Sequence, residues 1–136
     1  MKIQLEEKNK LLCLLPGFCQ LVQNDPFTPC ALGLTETELI IYNDYWPDEI
    51  HTDVYLYRIK KRIPLADIKT ILNQSLKHSR NLQYYHRLNI ITKVVELSSF
   101  VYYRKSDASL AKNMLKIIKT FGITVKKDKV SMESNS

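Results

Sequence analysis

The stretch ALGLTETELIIYND, Ala31–Asp44, decides how the chain folds. Ala31, Leu32 and Leu34 precede a polar knot, Thr35-Glu36-Thr37-Glu38, and Leu39, Ile40, Ile41 and Tyr42 follow it. Each apolar run is too short for a stable helix and long enough for a half-buried or fully buried strand. The knot between them reads as a reversal, so the stretch predicts a β-hairpin, although it lacks the Asn-Gly pair that most strongly favours a tight turn.

Working outward, RIPLADIKTI, Arg62–Ile71, predicts a turn at Pro64-Leu65-Ala66-Asp67 and a further strand marked by Ile68, Ile71 and Leu72. Val54–Arg62 alternates as a two-faced strand does. Upstream, Lys10–Gln23 is an apolar run broken by Pro16-Gly17, which predicts a first strand kinked or bulged there, entered from a short helical turn at Leu5–Asn9. Asn24–Pro29 and Asn43–Asp53 read as loops. Asn73–Gln83 is polar and reads as a connector. Tyr85–Thr92 and Val95–Tyr103 are expected strands with a link near Lys93. Eight tyrosines against three glycines agree with a strand-rich chain, because aromatic rings suit a pleated surface.

The clearest helix comes last. Ser106 or Asp107 can cap its amides. Leu110, Met114, Ile117, Ile118 and Phe121 recur at helical spacing, with Ala111 and Leu115 beside them and Lys112, Lys116 and Lys119 opposite. Gly122 is placed to end it in a left-handed turn. Residues 124–136 are charged and then serine-rich, which predicts a disordered tail after a single domain over residues 1–123.

With 136 residues the chain can bury a core without metal or disulfide staples. Its three cysteines, Cys13, Cys19 and Cys30, form no Cys-x-x-Cys pair, and they read as small buried hydrophobes in a reducing compartment. Glu6 and Glu7 spoil a signal-peptide reading of the N-terminus, and no run approaches the ~20 apolar residues that span a bilayer, so a cytoplasmic location is expected. Charge is polarised along the chain. Residues 1–53 hold three Lys/Arg against nine Asp/Glu, and residues 54–136 hold seventeen against five. Such asymmetry suits an anionic partner on one side, unless the two halves interleave.

The order of elements, about seven antiparallel strands and then an amphipathic helix, gives a mainly β, α+β fold. It resembles the pleckstrin-homology-like (PH-like) superfamily, and within it the GRAM-like and bacterial branches. The resemblance rests on LGLTETELIIYN as the hairpin, on RIPLADIKTI as an Ile-Pro-Leu turn and strand, and on SLAKNMLKIIKTFGI as the capping helix, over about Leu11–Ile123. It implies a bent β-barrel of two nearly orthogonal sheets with the helix plugging one end. It also implies a scaffold for binding proteins or lipid surfaces. Phosphoinositide-binding members carry basic residues between the first two strands. Here that loop is QNDPFTPC, with Asp25 and no Lys or Arg, so no phosphoinositide site is expected in the usual place.

No Ser-His-Asp order, carboxylate pair or metal constellation emerges from the spacing of His51, His78 and His86, and the tyrosine pairs Tyr84-Tyr85 and Tyr102-Tyr103 read as cross-strand packing. The expectation is therefore a non-enzymatic module without cofactor or metal. Its first candidate mode is protein interaction or self-association, possible for a homo-oligomer, through an exposed strand edge or the aromatic tip Tyr45-Trp46. The alternative is peripheral binding of anionic membrane surfaces through the basic strand Arg58, Lys60, Lys61 and Arg62, together with the C-terminal lysines. Nucleic acid is not expected, since no recognition helix or aromatic stacking motif accompanies the charge.

Overall fold

A computed structural model describes residues 2–5, 10–19, 28–44, 54–77, 86–94 and 98–131. The chain divides into two compact units, Met1–Ala66 and Asp67–Ser136. It is mainly β, with nine strands and one α-helix among the described residues.

The first unit holds β1 (Lys2–Leu5), β2 (Cys13–Cys19), β3 (Thr28–Leu34), β4 (Glu38–Asp44) and β5 (Val54–Pro64), in the order β1-β5-β4-β3-β2. The expected hairpin is β3–β4. Its reversal needs no Asn-Gly because Thr35 supplies the chemistry. The Thr35 Oγ1 accepts from the amides of Thr37 (3.2 Å) and Glu38 (3.0 Å), and the Thr35 amide donates to the Glu38 carbonyl at 2.9 Å. A small polar side chain that takes up turn amides substitutes for a glycine turn.

Strand parity sorts this unit into two faces. Leu15, Cys19, Cys30, Leu32, Leu34, Leu39, Ile41 and Ile63 share one face and are buried. On the other, Ala31, Ile40 and Tyr42 form a buried cluster against Leu11, Leu14 and Ile59. Ile59 reaches that face through a bulge. Ile41 pairs with Lys61 but Tyr42 pairs with Ile59, so Lys60 is the extra residue and the alternation of β5 reverses across it.

Of the kink or bulge expected at Pro16-Gly17, the bulge is absent from the β2–β3 ladder. β2 pairs with β3 residue by residue from Cys13 to Cys19 without a shift. Only alternate residues of an antiparallel strand donate toward a given neighbour, so one missing N–H need not interrupt pairing. Leu5 belongs to a strand, β1, which pairs parallel with Val54–Tyr57 of β5, and the remainder of the proposed Leu5–Asn9 turn lies outside the described residues.

In the second unit β6 (Ile68–Lys77), β7 (His86–Thr92), β8 (Ser98–Tyr103) and β9 (Thr124–Ser131) take the order β8-β7-β6-β9, and α1 (Ala108–Thr120) connects β8 to β9. A 3-10 turn, Leu65–Asp67, leads into β6, as the Pro-Leu-Ala-Asp stretch predicts. Two expectations fail here. Asn73–Lys77 is not a connector but the second half of β6, paired with β9 throughout and with β7 over Asn73–Ser75, and the rest of the expected connector lies outside the described residues. Its polar side chains are satisfied across strands: Gln74 Nε2 donates to Asp128 Oδ2 at 3.1 Å, and Arg87 Nε donates to Gln74 Oε1. Likewise the tail is not disordered over Thr124–Ser131. It forms β9, parallel to β6, because β6 would otherwise present an unpaired edge of amides and carbonyls. With β1–β5 and β6–β9 both parallel, an all-antiparallel arrangement of about seven strands is not what the chain adopts.

Ile71, Leu88, Ile90, Val101 and Tyr103 are buried on one face of this sheet, the face that also carries half-buried Asn73 and Val125 and exposed Lys127. Helix α1 buries Ala111, Met114, Leu115 and Ile118, a stripe at i, i+3, i+4 and i+7. Leu110 and Phe121, expected in that stripe, flank it and are 44% and 41% exposed. Neither Ser106 nor Asp107 caps the helix by a side-chain hydrogen bond. A 3-10 turn, Lys105–Asp107, leads into it instead. Gly122 ends the segment with φ +85°, as expected.

Candidate functional site

Turning at Gly122 folds β9 back beside α1, and a cleft of about 380 Å³ opens between them. Leu115 from the helix and Val125 from the strand supply its apolar part. Leu115 is buried and Val125 half-buried, so they form the floor. Around them stand the side chains of Lys112, Lys116 and Lys119 from α1 and Lys127 from β9, all exposed, while Lys126 borders the cleft with its side chain on the opposite sheet face. The floor is apolar and the rim cationic.

The three helix lysines follow the i, i+4, i+7 repeat, which places them on one flank of α1 next to Leu115. Lys127 shares the sheet face of Val125 because the two are separated by one residue on a strand. Among the described residues no carboxylate pairs with any of these four ammonium groups. The nearest acid in sequence, Asp128, accepts from Gln74. The cleft is thus an uncompensated concentration of positive charge with low-dielectric walls, a geometry that raises the local concentration of anions.

Asn73 of β6 also lines the cleft. Its Oδ1 accepts from the Tyr103 hydroxyl at 2.6 Å, which leaves the amide N–H groups to donate. Tyr103 stacks on His86 with ring centroids 5.3 Å apart, and burial pushes the Tyr103 phenol above its usual range. Tyr102 takes a different role: its hydroxyl accepts from Arg87 at 3.1 Å, while the guanidinium lies over the Phe100 ring at 4.4 Å. The pair Tyr102-Tyr103 therefore packs across strands as expected, one ring on each face. Tyr84 and Tyr85, and with them His51 and His78, lie outside the described residues.

The basic strand residues Arg58, Lys60, Lys61 and Arg62 are all exposed on β5, in the first unit. Arg62 is in an ion pair with Glu38. The bulge at Lys60 interrupts their alternation, so the four do not fall into a single row. Tyr45 and Trp46 lie outside the described residues. Sequence reasoning set the helix lysines opposite the apolar stripe, offered the C-terminal lysines only as an adjunct to Arg58–Arg62, and gave those after Gly122 to a disordered tail. The signal that could have joined them was the spacing of Lys112, Lys116 and Lys119 followed, after a helix-ending glycine, by Lys126-Lys127.

Cys13, Cys19 and Cys30 are all free thiols, the latter two buried, and a hydrogen bond with Cys19 together with burial pushes the Cys30 thiol far up. Among the described residues no group of three or more His, Cys, Asp or Glu side chains could hold a metal ion. Among them, too, no helix is long and apolar enough to cross a membrane.

No family model matches the chain, and no curated protein matches it in sequence. Solved structures similar to it include the hSac2 domain from the human phosphoinositide phosphatase Sac2, which is 14% identical with a TM-score of 0.53 over 93% of this chain and 80% of that one. The C-terminal domain of an unknown protein from Leishmania infantum is 12% identical, with a TM-score of 0.52 over 80% of this chain and 84% of that one. Autoinhibited Vav1 is 10% identical, with a TM-score of 0.50 over 79% of this chain and 17% of that one. At such identities the likeness concerns the fold alone. At a coarse level that fold is PH-like.

Proposed function

We propose that the chain is a non-enzymatic binding module of the PH-like, GRAM-like kind, and that its ligand is anionic and held between α1 and β9. A PH-like fold is a scaffold, and the fold does not name the ligand, so the reading rests on the site. The observation that carries it is the set of four lysines, Lys112, Lys116, Lys119 and Lys127, around Leu115 and Val125 with no acid partner among the described residues. Lysine ammonium groups are strongly hydrated point charges that suit carboxylates and phosphates, and an apolar floor beside them strengthens the attraction by lowering the local dielectric.

This reading moves the cationic site from Arg58–Arg62 of β5 to the helix and the strand that follows it. Interaction through a strand edge stays part of the proposal, supported by β9 being the last strand of the order β8-β7-β6-β9.

Polyglutamate and phosphatidylserine vesicles are suitable anionic probes, each measured at low and moderate salt. The triple variant Lys112→Glu, Lys116→Glu, Lys119→Glu is compared with Lys60→Glu, Lys61→Glu. Binding that falls with salt and is lost only in the helix variant is the expected result. If neither probe binds at low salt, or if only the β5 variant loses binding, the proposal fails.

A further inference from the structure

We infer that the occupant of the α1–β9 cleft is an acidic polypeptide segment of a partner protein, one that carries apolar side chains between its carboxylates. The inference rests on the reading of the cleft as an anion site and names the ligand that site takes.

The chemistry of the cleft is ordered by depth. Leu115, 5% exposed, and half-buried Val125 lie at the bottom, and the lysines stand at the rim. A membrane lipid enters a protein cleft headgroup first, which would set its phosphate on the apolar floor away from the ammonium groups. Burying a charge without a partner is strongly unfavourable. A polypeptide reverses that order. It lays an apolar side chain on the floor and leaves its carboxylates at the rim, where the lysines are.

The extent of the cleft points the same way. Lys112 and Lys119 are seven residues apart on α1, about 10 Å along the axis at 1.5 Å per residue. An extended chain advances roughly 3.3 Å per residue, so about three residues cover that length with alternate side chains toward the same wall. A charge row of this kind suits a linear polyanion better than one compact headgroup.

So does its polarity. The lysine side chains only donate. Asn73 already accepts from Tyr103 at its carbonyl oxygen, and its amide N–H groups are available to donate. The side chains of the cleft therefore ask for acceptors throughout, as carboxylates are.

A flat membrane is disfavoured on separate ground. Leu110 and Phe121 are the exposed apolar residues of the helix segment. At about 100° per residue they share one flank of α1, while Lys112, Lys116 and Lys119 lie on the other side of the buried stripe. One planar surface cannot take the apolar pair and the lysines together, as an interfacial amphipathic helix requires.

The test is fluorescence anisotropy with the labelled synthetic peptide DYWPDEIHTD. Its sequence occurs in this chain at Asp44–Asp53, and it sets Tyr, Trp and Ile among four carboxylates. Competitors are the same peptide with Tyr, Trp and Ile replaced by Ser, inositol hexakisphosphate, and phosphatidylserine vesicles. The full-length protein is compared with the Lys112→Glu, Lys116→Glu, Lys119→Glu variant and with the corresponding triple Lys→Arg variant, whose retained charge checks the fold. The inference expects saturable peptide binding, at least tenfold weaker in the Glu variant, kept in the Arg variant, and at least tenfold weaker for the Ser-substituted peptide. Equal binding of the two peptides would overturn it, as would peptide binding indifferent to the lysines. If the hexakisphosphate or the vesicles bind through the lysines and the peptide does not, the peptide inference falls while the anion site stands. If no anion binds, both fall.

Discussion

Leu11 lies over Gly33 so closely that a β-carbon built on the glycine would sit 2.6 Å from Leu11 Cδ2 and 3.0 Å from Tyr42 Cε2. Glycine here is a packing requirement rather than a conformational one. Gly33→Ala should therefore destabilise the chain by about 1–3 kcal/mol through overpacking. Adding Leu11→Ala opens the space above the new methyl group. The double variant should be more stable than the sum of the single effects predicts, a coupling that a denaturant-melt cycle measures.

Gly122 is the opposite case. Nothing lies within 4 Å of a β-carbon added there, but its φ is +85°. Gly122→Ala should destabilise by about 1–2 kcal/mol from backbone strain alone. Gly122→Asn, which tolerates the left-handed region better, should cost less. Thermal melts of the two variants check this. Equal losses would mean that backbone strain is not the cause.

A pH effect follows from His86. Burial, and secondarily the charge of Lys105, hold its imidazole below the ordinary histidine value of 6.5. In the folded state the neutral form is favoured, so the unfolded chain binds more protons just below pH 6.5. The stabilising contribution is complete above that pH and declines as pH falls toward the lowered folded value. Chemical denaturation at pH 7.5, 6.5 and 5.5 should show this slope reduced in His86→Gln. An unchanged slope would show that another group titrates.

Thiol chemistry separates the cysteines. Cys19 and Cys30 are buried and share a hydrogen bond that favours the protonated Cys30 thiol, whereas Cys13 is only half-buried. The thiolate is the reactive species. Alkylation of the native protein at pH 8, followed by peptide mass spectrometry, should label Cys13 first. Cys19 and Cys30 should react only under denaturant.

The hairpin was legible in Ala31–Asp44 because both runs are short and apolar and the knot between them is polar. Helix α1 was legible from its repeat, and its end from Gly122. What remained hidden shares one cause: polar strands. Asn73, Gln74 and Ser75 look like a loop until Arg87, Asp128 and Tyr103 are known to satisfy two of them across the sheet. In the same way Thr124–Ser131 has few apolar residues to announce a strand, and its pairing with β6 is settled by a partner more than fifty positions away. The bulge at Lys60 left no mark in composition, yet it decides which face Ile59 joins. The cleft was overlooked because one of its walls was assigned to the tail.

The position of β9 also sets a schedule for synthesis. Every strand partner within the first unit lies between Lys2 and Pro64, so its five strands can pair once that segment has left the ribosome. The edge of β6 has to wait. Thr70 pairs with Thr124 and Lys77 with Ser131, so for the whole time that residues 78–123 are being translated β6 lacks its outer neighbour. Domains form N-terminal first as chains are made, and an unpaired strand edge is an aggregation risk during that interval. A nascent chain stalled before Thr124 is therefore the form on which a ribosome-associated chaperone would have most to do.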